Sequence, residues 1–221
     1  MILEVEGLTK SFGGVRAVDG FSFRADAGEI VGIIGPNGAG KTTAFNLVTG
    51  IYAPDAGSIR LEGAELAGRE QHEITRAGIG RTFQNIRLFR GLSVVENVMT
   101  AADPYSDYSL MQLLTLRPAV RDRERAVREM GREYLRLVGL EKYEDEKPFN
   151  LPYGMQRKLE IARALAANPK VLLLDEPAAG LNPSEVQEFI ALVGALRERF
   201  GFAVLVIEHR MEVIMTLCAR I

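Results

Sequence analysis

The chain has 221 residues, with 27 Lys and Arg against 29 Asp and Glu, for a formal net charge of -2. Its 47% hydrophobic and 25% charged content is that of an ordinary globular protein, which excludes a disordered or fibrous chain and suits one sizeable α/β domain, alone or with a smaller subdomain inserted in it. The charge balance argues against a dedicated nucleic-acid binder, which carries a basic excess or stripe, and the single Cys218 allows no internal disulfide.

The N-terminus alternates apolar and polar residues (Ile2, Val5, Leu8) and lacks the basic start and apolar block of a signal peptide. Leu3 to Leu8 and Gly20 to Arg24 read as short strands, and Glu29 to Ile34 as a buried strand running into a glycine-rich turn. Lys41 to Val48 suits a helix with Ala44, Phe45, Leu47 and Val48 inward and Gly50 as its stop. A hairpin-like stretch follows, with Asp55-Ala56-Gly57 as its turn and Ser58 to Leu61 as a strand.

From about Leu92 to Leu140 the chain turns helical and charged, with Ala126, Met130, Tyr134 and Leu137 spaced as one apolar stripe. The charges from Arg121 to Arg125 read as a solvated helix face. Beyond Leu151 come a helix through Ala166, an apolar strand from Val171 to Leu174, a helix opened by Pro183, and a strand from Ala203 to Ile207. These apolar runs fall far short of the ~20 residues that cross a bilayer, so a membrane role has to come through a partner. Cys218 has no zinc-ligand spacing around it and reads as a small apolar side chain in a reducing compartment.

Two motifs carry chemistry. Gly35-Pro36-Asn37-Gly38-Ala39-Gly40-Lys41-Thr42 fits G-x-x-x-x-G-K-[ST] between a strand and a helix. In that setting backbone N–H groups and a helix N-terminus curl around phosphates. Lys41 then neutralises β- and γ-phosphates, and the Thr42 hydroxyl is an oxygen ligand for Mg²⁺. Val171 to Glu176 is an apolar strand ending in two carboxylates, at the edge where open α/β sheets bind ligands. Alone, such a pair is equally a solvated strand end; with the P-loop, Asp175 fits the Mg²⁺ side and Glu176 the polarisation of an attacking water.

From Leu8-Thr9-Lys10-Ser11-Phe12-Gly13 to His209, the chain resembles ABC-type ATPases in register. The resemblance implies an α/β P-loop fold: a RecA-like mixed sheet with an antiparallel β part over 1–90 and 156–221, and an inserted α-helical subdomain over 91–155 that ends in the signature loop. It also implies that Phe12 stacks on adenine, that Gln84 senses the metal and the membrane partner, that His209 contacts the γ-phosphate, and that Thr43 joins the phosphate-binding set. Without the family, Phe12 reads equally as core, and Gln84 and His209 as ordinary polar residues.

Where the family carries Leu-Ser-Gly-Gly-Gln, this chain has Leu151-Pro152-Tyr153-Gly154-Met155, and Asn182 stands where an aspartate is usual. Pro152 supplies neither hydroxyl nor N–H donor, leaving Gly154 and the helix N-terminus after it for the phosphate of an opposing subunit. Both departures resemble the ATP-binding subunits of branched-chain amino acid importers and their relatives for small amides. So do Gly78 to Phe89, Glu96-Asn97-Val98 and Asp175 to Pro183.

Such a subunit is expected to bind ATP and Mg²⁺ and to hydrolyse ATP at the cytoplasmic face of a membrane. It pairs with a second ATP-binding subunit and with permease subunits, and indirectly with a solute-binding protein. Nucleic acid is not an expected partner. The alternatives are a non-transport ABC ATPase acting on nucleic acid or ribosomes, and a hydrolysis-impaired nucleotide-binding module. Ala219-Arg220-Ile221 resembles the start of a strand that relatives continue, so a longer natural chain is expected.

Overall fold

The computed structural model describes residues 1–102 and 118–221, with the backbone alone for 118–121. The chain divides into two units, Met1–Asn85 with Pro169–Ile221, and Ile86–Asn168. The expected inserted subdomain therefore lies partly outside the described residues, at 103–117, as does the side chain of Arg121.

In the first unit, β1 (Leu3–Phe12) and β2 (Val15–Ala25) pair antiparallel around Gly13-Gly14, and both extend beyond the expected runs. Irregularities after Val5 shift the register, so Leu3, Val5 and Leu8 all reach the core despite their uneven spacing. β4 (Ala56–Leu61) pairs with the other side of β1, Val5 opposite Ile59, and β5 (Ala64–Glu65) completes the order β2-β1-β4-β5. The hairpin turn expected at Asp55-Ala56-Gly57 is therefore not one. Ala56 already pairs with Thr9, and Asp55 accepts hydrogen bonds from Lys10 Nζ and the Ser11 N–H, both at 2.7 Å. The local hairpin turns instead at Glu62-Gly63, between β4 and β5.

A second sheet in this unit is wholly parallel: β3 (Ile30–Ile33), β6 (Ile79–Arg81), β7 (Val171–Asp175) and β8 (Ala203–Ile207), in the order β3-β8-β7-β6. Strands covered on both faces read as unbroken apolar runs, and every residue of β7 and β8 is buried. Arg220 forms a parallel bridge with Val31. Because the four strands run the same way, the residues that follow them emerge at one edge of the sheet.

α1 (Lys41–Val48) buries Ala44, Phe45, Leu47 and Val48 in the same core as β1, β4 and the parallel strands, and Gly50 follows in the left-handed region at φ 71°. α2 (Gln71–Ala77) opens on a Glu70/Glu73 capping box and had no counterpart in the sequence reading.

In the second unit, α3 (Val94–Ala102) is joined by α4 (Pro118–Leu137) and α5 (Tyr153–Ala166), which pack on one another. The apolar stripe expected on α4 is rotated. Met130 is 39% exposed while Leu135 is fully buried, because Gly131 lets α4 approach Val95 and Met99 of α3. Asp122 to Arg125 are exposed. The expected boundary at 155/156 falls inside α5, whose packing partners are α3 and α4, and the second unit continues to Asn168.

In the first unit, α6 (Pro183–Phe200) is capped by Asn182, whose side chain accepts the Glu185 N–H at 3.0 Å while Glu185 reaches back to the Asn182 N–H at 2.8 Å. Asparagine serves that cap as well as the expected aspartate. α7 (Met211–Leu217) ends the helical elements described.

Candidate functional site

The loop from Gly35 to Gly40 leaves β3 and enters α1 without any side-chain cap at the helix start. Gly40 holds φ 83°, and a Cβ there would stand 2.1 Å from the Ala17 carbonyl oxygen, so only glycine fits between loop and β2. The first N–H groups of α1 are thereby left for an anion, the end of the helix where negative charge is stabilised. The Lys41 ammonium folds back over the loop, donating to the Gly35 and Pro36 carbonyls at 2.7 and 2.9 Å.

A cleft of about 460 Å³ is lined by Ala17, the run Asn37 to Thr43, Gln84, Glu176 and His209. The last three come from the ends of three other strands: Gln84 beyond β6, Glu176 beyond β7 and His209 beyond β8. Glu176 holds φ 45°, unusual for a residue with a Cβ. Its N–H donates to the Ile207 carbonyl at 2.8 Å, which fixes the turn. The carboxylate accepts from Gln84 Nε2 at 2.8 Å and meets His209 Nε2 at 3.1 Å. Gln84 and His209, both expected from the sequence, thus each meet Glu176 in the cleft that the phosphate loop lines.

Three others are not among the residues that line that cleft. Asp175 is buried at the end of β7, with Oδ2 accepting from Arg81 Nη2 at 2.8 Å and, among the described residues, Oδ1 without a hydrogen-bond partner. Phe12 is not core, being 42% exposed, and meets Tyr52 edge to face with ring centroids 5.0 Å apart. Gly154 lies in the first turn of α5, in the second unit, where Pro152 occupies the cap position without a side-chain cap bond.

Two residues of the site escaped the sequence reading. Arg81 ties Asp175 to Asn46 of α1 and to Thr49 at its C-cap, at 2.7 and 3.1 Å. Glu208 lies buried beside His209. A charged residue at either end of a short apolar strand reads as solvated, and only the pairing of strands reveals these two as interior.

The family profile described as ABC transporter matches residues 18–179. The chain belongs to the ABC transporter family. It is 45% identical over 98% of its length to the high-affinity branched-chain amino acid transport ATP-binding protein BraF of Pseudomonas aeruginosa, covering 85% of that protein. To LivG of Escherichia coli, a protein of the same description, it is 41% identical over its whole length, covering 86% of that protein. The lipopolysaccharide export system ATP-binding protein LptB of Escherichia coli is 38% identical over 99% of this chain and 84% of its own.

Among solved structures, a nucleotide-free ATP-binding cassette superposes with a TM-score of 0.83 at 32% identity, over 98% of this chain and 85% of the other. The dimeric post-hydrolysis cassette MJ0796, bound to ADP and Pi, gives 0.80 at 26% identity, over 97% and 91%. As an ABC transporter ATPase, this chain binds nucleotide and hydrolyses ATP in the service of transport. Among the described residues no helix is long and apolar enough to cross a membrane.

Proposed function

We propose that this ABC ATPase powers import of branched-chain amino acids, with the site at the parallel-sheet edge as its hydrolytic centre. The convergence of Gln84, Glu176 and His209 on the phosphate loop supports the hydrolytic half of the reading. The names of BraF and LivG support the solute.

The run from Gly35 to Thr43 wraps the phosphates of ATP, and Lys41 exchanges its two carbonyl partners for β- and γ-phosphate oxygens. Phe12 offers its exposed ring to adenine. Glu176 orients the attacking water and takes its proton, while His209, within reach of the same carboxylate, contacts the γ-phosphate. Catalysis of this kind is mostly positioning and charge stabilisation, so a carboxylate held by two neighbours suits it.

Mg²⁺ fits the residues present. Thr42 and Gln84 supply oxygens in the cleft, and Asp175, the residue before Glu176, adds a buried Oδ1 that has no hydrogen-bond partner among the described residues. A hard cation that keeps several waters needs no more from the protein. When bound it neutralises phosphate charge. Gly154 and the N-terminus of α5 are offered to the ATP of a partner ATP-binding subunit, in place of the missing serine. Permease subunits and, through them, a solute-binding protein complete the assembly at the cytoplasmic face of the membrane.

The test is reconstitution of the chain with its permease and solute-binding partners in liposomes. Leucine, isoleucine or valine should stimulate ATP turnover, and lipopolysaccharide should not. Stimulation by lipopolysaccharide, or by none of these amino acids, would refute the solute assignment.

A further inference from the structure

Glu208 is the last residue before His209 and only 3% of its surface is exposed. Burying a carboxylate in such a place is costly unless its oxygens are hydrogen-bonded. Its bonds come from three main-chain N–H groups on two loops. The Ala178 N–H donates to Oε1 at 2.8 Å, and the His209 and Arg210 N–H groups donate to Oε2 at 2.7 and 3.0 Å. Ala178 lies two residues past Glu176, on the loop that leads to α6 and is itself fully buried.

The two loops meet in further places. The Glu176 N–H donates to the Ile207 carbonyl at 2.8 Å, and the Arg210 guanidinium donates to the Leu181 carbonyl at 3.1 Å. The segment 207–210 therefore grips the loop 176–181 at both ends, and Glu208 holds each loop with a separate oxygen. The catalytic side chains meet just outside this grip, His209 Nε2 3.1 Å from Glu176 Oε1.

We propose that Glu208 is a positioning residue for ATP hydrolysis, setting the Glu176–His209 pair by clamping the backbones that carry them. The proposal rests on the reading of Glu176 and His209 as the hydrolytic pair. Glu208 does not line the cleft and acts only through those two residues. Ordinary burial of a capping carboxylate would stabilise the fold without favouring one arrangement of the pair. Coupling to His209 separates the two roles.

Glu208→Gln preserves volume and keeps one accepting oxygen, but its NH₂ group faces an N–H on the other side. It therefore releases one loop and not both. With the purified chain in excess over ATP, single-turnover hydrolysis should fall about tenfold, while the affinity for ATP stays within about twofold, the pattern of an interaction made in the transition state. In a His209→Ala background the same substitution should cost nothing further, since residues acting as one unit are not additive.

A wild-type rate in Glu208→Gln overturns the proposal, as does a loss that multiplies fully with that of His209→Ala, or a loss of ATP affinity at unchanged rate. Should Glu208→Gln fail to fold by circular dichroism, Glu208→Asp, which keeps the charge on a shorter arm, is read by the same criteria. Failure of both to fold gives Glu208 a purely structural role and also overturns it. Glu176→Gln is the control. If it hydrolyses like wild type, the catalytic reading itself fails. If it is inactive while Glu208→Gln is not impaired, only the Glu208 proposal fails.

Discussion

Arg81 and Asp175 form a buried ion pair, 2.8 Å from Nη2 to Oδ2, with side chains 6% and 2% exposed. The guanidinium also holds Asn46 of α1 and Thr49 at its C-cap, and lies over the Phe45 and Phe83 rings. One residue thus joins the helix of the phosphate loop to the end of β7. Breaking a buried pair leaves an uncompensated charge, at a cost of about 3–5 kcal/mol. Arg81→Met should lower unfolding stability by that amount in urea titration, and Asp175→Asn added to it should restore part of the loss. An unaltered midpoint for Arg81→Met would show that the pair contributes little.

Gly40→Ala should be far more damaging than a typical loop substitution. The left-handed φ of 83° is strained for alanine, and the new methyl group would meet the Ala17 carbonyl at 2.1 Å. Backbone strain of this kind is about 1–3 kcal/mol before the clash is counted. The expected result is loss of binding to a fluorescent ATP analogue together with a lower melting temperature. Normal affinity in a folded variant would mean that the loop relaxes without harm.

Phe12→Ala should weaken ATP binding by about 1–3 kcal/mol, the range for stacking a base on an aromatic ring. Inorganic tripolyphosphate, which has no base, should bind as before. Tyr52 meets Phe12 edge to face at 5.0 Å, so Tyr52→Ala should give a smaller loss in the same direction, confined to ligands that carry adenine. Equal losses for tripolyphosphate would place Phe12 in the fold and not at the base.

Cys218 offers a test by pH. Burial against Gly32 and Ile214 pushes its thiol up from 9.0 to about 11. Alkylation of the native protein by iodoacetamide should accordingly be slow at neutral pH and keep rising through pH 10, since the thiolate is the reactive form. A folded pKa above the unfolded one also means that the stability from this burial is complete below pH 9 and is lost as the pH rises through about 11. Rapid labelling at pH 7 without unfolding would contradict the burial.

Much of the core unit was legible in the sequence because parallel strands buried on both faces leave unbroken apolar runs, as Val171 to Leu174 and Ala203 to Ile207 do. The phosphate loop was legible because its chemistry fixes residue types at fixed spacing. Asp55 was misread because a turn-forming residue also serves as an acceptor for a neighbouring strand, and Lys10 and Ser11 lie 45 and 44 residues away. The stripe on α4 was misplaced because glycine carries no apolar signal, although Gly131 marks the close approach to α3. Arg81 and Glu208 were invisible for a related reason: their burial depends on which strands and loops become neighbours, and a single sequence does not encode that as a local pattern.

In the proposed mechanism Glu176 serves hydrolysis from the cleft it shares with Gln84, His209 and the phosphate loop. Substituting Glu176 by Gln and measuring ATP turnover and ATP affinity side by side tests it most directly. Turnover should fall by at least ~10²-fold, the range for a positioned general base, with affinity for ATP retained. Unchanged turnover in a folded, ATP-binding Glu176→Gln protein would remove Glu176 from the hydrolytic step.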